Sequence, residues 1–170
     1  MKILETDRLI LRQLSTEDAA FILELVNEPS FIQNIGDRGV RTLEDARVYI
    51  LRVAISSYEK NGFGLYLVEL KDSGESIGMC GLIKRAELEN VDIGYAFLPR
   101  FWLKGYAVEA AAAVKAYARD VLGLKRLVAI TDPANQGSIR VLEKIGLKYE
   151  KMVRLSADDI ELKLFAVDTL

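Results

Sequence analysis

The 170-residue chain is predicted to fold as a single mixed α/β domain over residues 1–170, on three observations. Its length matches one core, since domains commonly run to roughly 100–200 residues. Its composition is 51% apolar with only 3 prolines, enough to fill such a core and far from the polar signature of disorder. Its apolar periodicity switches repeatedly between 2 and 3.6 residues. The resulting order is strand, two helices, three meandering strands, helix, strand, helix and two strands. That order implies a mixed sheet with at least one crossover unit, not a repeated parallel barrel.

Each element has its own local cause. Arg8–Leu14 alternates well enough for a strand. Ser15 then caps a helix, with Asp18 three positions on and Ala19, Ile22, Leu23 and Val26 on one face. Turn residues from Asn27 to Arg41 suggest a loop. Thr42 with Asp45 marks the next N-cap, followed by Ala46, Tyr49, Ile50 and Val53 at helical spacing. Phe63–Leu70 and Ser76–Lys84 read as strands joined at Asp72-Ser73-Gly74, and Asn90–Phe97 as a third, stopped by Pro99. A long helix is expected from about Tyr106 to Leu122, stopped by Gly123. Arg126–Thr131 is a short strand, Ser138–Ile145 a helix ended by Gly146, and strands near Leu147–Leu155 and Asp159–Val167 follow.

Composition narrows the chemistry. There is no histidine and one cysteine, so Ser-His-Asp triads, Cys-His pairs and His- or Cys-rich metal sites are excluded. No metal is expected. Cys80 lies in the apolar stretch Ile77–Ile83 and reads as a core residue in a reduced protein. No leader-like segment opens the sequence and charges interrupt every apolar run, so neither signal peptide nor membrane span is expected. A net charge of −2 gives no general attraction for nucleic acid. The expectation is a cytoplasmic protein, monomer or homodimer.

The most informative stretch is Pro99 to Ala111, where a strand ends, a short loop contains one glycine, and a helix opens with small residues. Such a junction leaves backbone N–H groups unpaired at the positive end of a helix, a geometry suited to diphosphate. A tight strand–helix turn with an Ala-rich packing face is an equal reading of the same residues. No Walker or dinucleotide-binding glycine motif is present.

Trp102-Leu103-Lys104-Gly105-Tyr106-Ala107 resembles the Q/R-x-x-G-x-G/A loop of the GNAT superfamily of N-acetyltransferases. Asn135 to Leu147 resembles the N-x-x-S/A…EK-x-G-F signature of the same fold. Thr6-Asp7-Arg8-Leu9-Ile10-Leu11-Arg12 and Asp92-Ile93-Gly94-Tyr95 resemble the branch containing ribosomal-protein N-terminal acetyltransferases. The four blocks fall in register along the whole chain.

The resemblance implies a mostly antiparallel twisted sheet of about seven strands with about four helices. It also implies acetyl transfer from the cosubstrate acetyl-CoA to a primary amine by direct attack. It places the pyrophosphate on the backbone N–H groups of Leu103, Lys104, Gly105, Tyr106 and Ala107, with Trp102 in the same coenzyme loop and packing beneath it as its other reading, and the pantetheine arm along Ala96 and Phe97, with Asn135 bonding the arm or a water. Leu103 stands where the branch usually has Gly, and Leu142 where many relatives carry a Tyr that protonates the thiolate. Ser138 is then the candidate acid, with a plain helix N-terminal residue as its other reading. Asp92 is the carboxylate best placed to accept the amine proton, and otherwise a solvated strand residue. Phe31 and Arg41 are candidates for the acceptor wall. Glu87, Glu89, Arg140 and Lys144 read as solvated charges.

The missing imidazole bears on the acceptor. Deprotonating a lysine-type amine of pKa about 10.4 costs roughly 4.6 kcal/mol at pH 7, against about 1.1 for an α-amine near 7.8. A site without histidine therefore favours an α-amine, such as a protein N-terminus or a small amino compound. The competing reading is a catalytically weak acyl-CoA-binding sensor.

Overall fold

The computed structural model describes residues 1–168. Eight strands form one sheet: β1 (Lys2–Glu5), β2 (Leu9–Gln13), β3 (Leu65–Leu70), β4 (Ser76–Ile83), β5 (Asp92–Phe97), β6 (Arg126–Thr131), β7 (Lys148–Val153) and β8 (Leu162–Asp168). Their spatial order is β1-β2-β3-β4-β5-β6-β8-β7. All neighbours are antiparallel except β5 and β6. The strand beyond the expected seven is β1, whose four residues are too few and too exposed to show alternation.

Six α-helices replace the expected four or so: α1 (Ala19–Val26), α2 (Pro29–Asn34), α3 (Leu43–Tyr49), α4 (Ser56–Asn61), α5 (Tyr106–Asp120) and α6 (Gln136–Lys144). The Asn27–Arg41 segment is not wholly loop, because Pro29 at the first helical position nucleates α2. Ser15 and Asp18 form the expected capping box, but around a 3-10 turn, and α1 starts only at Ala19. Thr42 and Asp45 cap α3 as expected. A π-helical stretch, Ile50–Ile55, joins α3 to α4 and breaks the 3.6-residue rhythm on which a single helix would rest.

Helices cover the sheet on both faces. α5 packs Ala110, Ala111, Val114 and Ala118 against Tyr66, Cys80 and Phe97. The small alanine side chains let its axis lie close to the strands. On the opposite face α1 and α3 bury Ile22, Leu25 and Tyr49 over Leu67 and Met79. Cys80 is fully buried, as expected, and burial pushes its thiol pKa up. Among the described residues no helix is long and apolar enough to cross a membrane.

The crossover β5–α5–β6 produces the feature that positions the site. The two parallel strands share one register pair, Asp92 with Val128, held by the Val128 N–H donating to the Val91 carbonyl at 3.1 Å. Beyond that point they part. β5 stays paired with β4 and β6 with β8, so a wedge opens between Phe97 and Thr131.

Candidate active site

Strand alternation decides which groups face the wedge. The Leu98 N–H donates to the Ile77 carbonyl, and Val91 presents its carbonyl to β6. Antiparallel pairing then turns the backbone of Asp92, Gly94 and Ala96 toward β4, and that of Ile93, Tyr95 and Phe97 toward the wedge. The sequence expectation named Ala96 and Phe97 as the pairing groups. Ala96 is occupied with Met79 across β4–β5, and Tyr95 takes its place. The Phe97 carbonyl already accepts the Trp102 indole N–H at 2.9 Å. Trp102 therefore ties the loop to the end of β5.

The loop itself turns twice in the left-handed region, at Leu103 (φ 62°) and Gly105 (φ 84°). Gly105 is the residue before α5, and the Glu109 N–H donating to the Gly105 carbonyl opens the helical ladder. The amides of Tyr106 and Ala107 thus have no partner within the helix and lie at its positive end. Such a set of outward amides at a helix N-terminus is of the kind that suits a diphosphate. Leu103 is fully exposed and pays about 1–2 kcal/mol for a conformation that glycine adopts freely. Leu103→Gly is expected to raise unfolding free energy by up to about 1 kcal/mol, after the extra chain entropy of glycine, as measured by thermal melting.

A clamp from the far end of the chain holds this loop. The Arg8 guanidinium donates to the Lys104 carbonyl at 3.0 Å and to Glu109 at 2.7 Å, and lies 4.4 Å over the Tyr106 ring. Glu109 also accepts from Thr6 Oγ1 and the Arg8 N–H. Burial pulls the Glu109 carboxyl up, but these bonds more than offset it and hold it below its ordinary range. The Thr6–Arg8 motif thus shapes the N-terminal end of α5 and offsets the charge of Glu109. Arg8→Ala is expected to raise KM for acetyl-CoA about tenfold with little change in kcat, read by steady-state kinetics.

Two hydroxyls meet on the α5–α6 face. Asn135 Oδ1 accepts the Ser138 N–H at 3.1 Å and caps α6, which leaves its amide nitrogen to reach toward a ligand. The Tyr95 phenol lies 3.1 Å from the Ser138 carbonyl and 3.0 Å from Ser138 Oγ. Burial raises the Tyr95 pKa, so the phenol keeps its proton. Leu142, which cannot supply a phenol, is fully buried in the core. Tyr95 was absent from the expected site, although it closes the Asp92–Tyr95 motif. Only the register of β5 reveals that its ring turns toward α6.

The carboxylate lies on the other face. Asp92 is buried, not the solvated strand residue of its alternative reading, and its Oδ2 accepts from Arg85 Nε at 2.6 Å. Burial pushes its pKa up to about 6, with Arg85 pulling only partly back. Glu87 and Glu89 are exposed. Phe31 is packed into the core between α2 and the sheet. Arg41 is turned to Asp37, Asn27 Oδ1 and the Val40 carbonyl, an arrangement that braces the loop before α3. Tyr95 and Ser138 therefore meet on the α6 side of β5, Asp92 lies where β5 and β6 still pair, Phe31 is in the core, and the exposed Arg41 braces the loop before α3.

Known proteins share this fold. Residues 8–148 match the acetyltransferase (GNAT) domain family. The protein YkkB of Bacillus subtilis (strain 168) is 36% identical over 157 residues, 89% of this chain and 88% of its own. The N-acetyltransferase YoaA of the same organism is 34% identical over 153 residues, 89% of this chain and 86% of its own. In fold, RimL, a ribosomal alpha-N-protein acetyltransferase solved with coenzyme A, superposes with a TM-score of 0.84 at 20% identity, covering 99% of this chain and 98% of that one. The chain belongs to the GNAT acetyltransferase family and is an acetyl-CoA-dependent acetyltransferase.

Proposed function

We propose that the protein moves the acetyl group of acetyl-CoA onto a primary amine by direct attack, with an α-amine as acceptor. The observation that carries this reading is the wedge between β5 and β6, which has a buried carboxylate on one face and two bonded hydroxyls on the other. Acetyl-CoA, when bound, would supply the activated thioester, and the rest of the work falls to this chain.

The unpaired amides from Leu103 to Ala107, in the loop and at the start of α5, hold the diphosphate. The Tyr95 and Phe97 edge of β5 offers its backbone to the pantetheine amides, as a strand would. Asn135 holds the same arm from α6. A β5 amide near the thioester oxygen stabilises the negative charge that develops there. Asp92 takes the amine proton through a water, since its side chain is buried and bonded to Arg85. The new N–C bond forms as the C–S bond breaks, and Ser138, supported by Tyr95, gives the departing thiolate a proton. Phe31 supports the acceptor side from the core, and Arg41 braces the loop before α3 from the surface.

The likeness to RimL supports an acceptor presented as a protein N-terminus, and the absence of histidine supports an α-amine over a lysine. Leu142 favours the second reading, a sensor that binds acyl-CoA without turnover, because the phenol common at that position is missing. Thiol release decides between them. Steady release of coenzyme A that requires both acetyl-CoA and an amine is the expected result, and binding without release supports the sensor.

A further inference from the structure

On the same face of the sheet as Asp92, a cleft of about 180 Å³ is lined by Arg38, Val40, Asp45, Val48, Tyr49 and Arg52. Tyr49 is almost fully buried at its base. Burial raises its pKa, while the guanidiniums of Arg38, Arg52 and Arg85 all pull the other way, so three cations surround one phenol. Arg85 is the residue that bonds Asp92. Arg38, Arg52 and Arg85 thus form a group of cations on the face of the sheet that carries Asp92.

The arginine charges of this region are unequally balanced. Arg85 is matched by Asp92, Arg41 by Asp37 and Arg47 by Glu44. Arg38 and Arg52 form no ion pair among the described residues. Asp45, the carboxylate in the cleft, accepts from the Arg41 and Thr42 amides, which hold its pKa low. Two unmatched guanidiniums in one cleft repel a cationic polyamine and attract an anion. Guanidinium and carboxylate also match in shape, through paired N–H donors.

We infer that the acceptor is an amine that carries its own carboxylate, which Arg38 and Arg52 hold while the amino group faces Asp92. This rests on the acetyl-transfer reading above. A free α-amino acid and a peptide with an acidic side chain next to its N-terminus share this chemistry, and the test has an arm for each.

The experiment measures thiol release with matched acceptors: leucine against leucinamide, the dipeptide amide Ala-Glu-NH2 against Ala-Gln-NH2, and spermidine. The expected result is a kcat/KM at least tenfold higher for the carboxylate member of one pair, chiefly through KM, with spermidine slowest. A tenfold preference corresponds to about 1.4 kcal/mol. Arg52→Gln and Arg38→Gln should shrink the preference toward one, and Arg52→Lys should keep part of it. Added salt should weaken it. Equal rates within both pairs, or spermidine as the best acceptor, overturns the inference while leaving acetyl transfer standing. The parent protein's own preference decides this, whether or not the variants fold. Release of thiol with no amine at all overturns the acetyl-transfer reading itself.

Discussion

Asp92→Asn is expected to lower kcat by about 10²–10³-fold, within the range for loss of a positioned general base. Asparagine keeps the shape of the side chain and can still accept from Arg85, so the loss reports on proton transfer. The pH dependence makes the test specific. Burial holds the carboxyl near a pKa of about 6, and only its ionised form accepts a proton. The kcat profile of the parent should therefore rise as pH passes through about 6, and the variant should lack that limb. Stability runs the other way. A carboxyl whose folded pKa lies above its unfolded value stabilises the fold fully below about pH 4, and that contribution is lost as pH rises through 6. Relative to Asp92→Asn, the parent should lose on the order of 3 kcal/mol of unfolding free energy between pH 4 and 7. Denaturant titration at those two pH values reads the difference.

The second large effect is expected at the hydroxyl pair. Ser138→Ala should reduce kcat by about 10²-fold, as for loss of a general acid. Its effect should shrink when the leaving thiol is made more acidic, because a better leaving group needs less protonation. Tyr95→Phe removes only the partner hydroxyl, so a smaller loss is expected, roughly tenfold. The double variant should be little worse than Ser138→Ala alone, since residues acting as one unit are not additive. Unchanged kcat in Ser138→Ala would remove that residue from the chemistry and leave Asn135 to cap α6 by itself. Melting temperatures recorded on the same preparations separate a lost proton donor from a loosened α6.

The parts of the molecule legible in the sequence are those with short-range causes. The capping residues Ser15 and Thr42 are where their side chains predict, and so are the hairpin turn at Ser73-Gly74 and the boundaries of β6. The turn before α5 was legible because Gly105 and the small residues after it are local signals of a strand–helix junction. Features made by distant residues were not. No local pattern announces that Arg8 reaches Lys104 and Glu109, some 100 positions away. Asp92 reads as a candidate proton acceptor or a solvated charge, and its burial shows only once the sheet and Arg85 enclose it. The substitution of Tyr95 for Ala96 as a group facing the wedge follows from pairing register, which periodicity within one strand does not specify. Likewise the arginines around Tyr49 come from a loop, a helix and the β4–β5 connection, and only the fold collects them.

The central claim is direct acetyl transfer without a covalent enzyme intermediate. Its most direct test is one incubation of the protein with acetyl-CoA, followed simultaneously by thiol release and by intact protein mass, with and without an α-amine acceptor. The account predicts no thiol release and no acetylated protein without amine, then one thiol and one acetylated amine per turnover when amine is added. A burst of thiol matched by acetylation of the protein before any amine is present would contradict it.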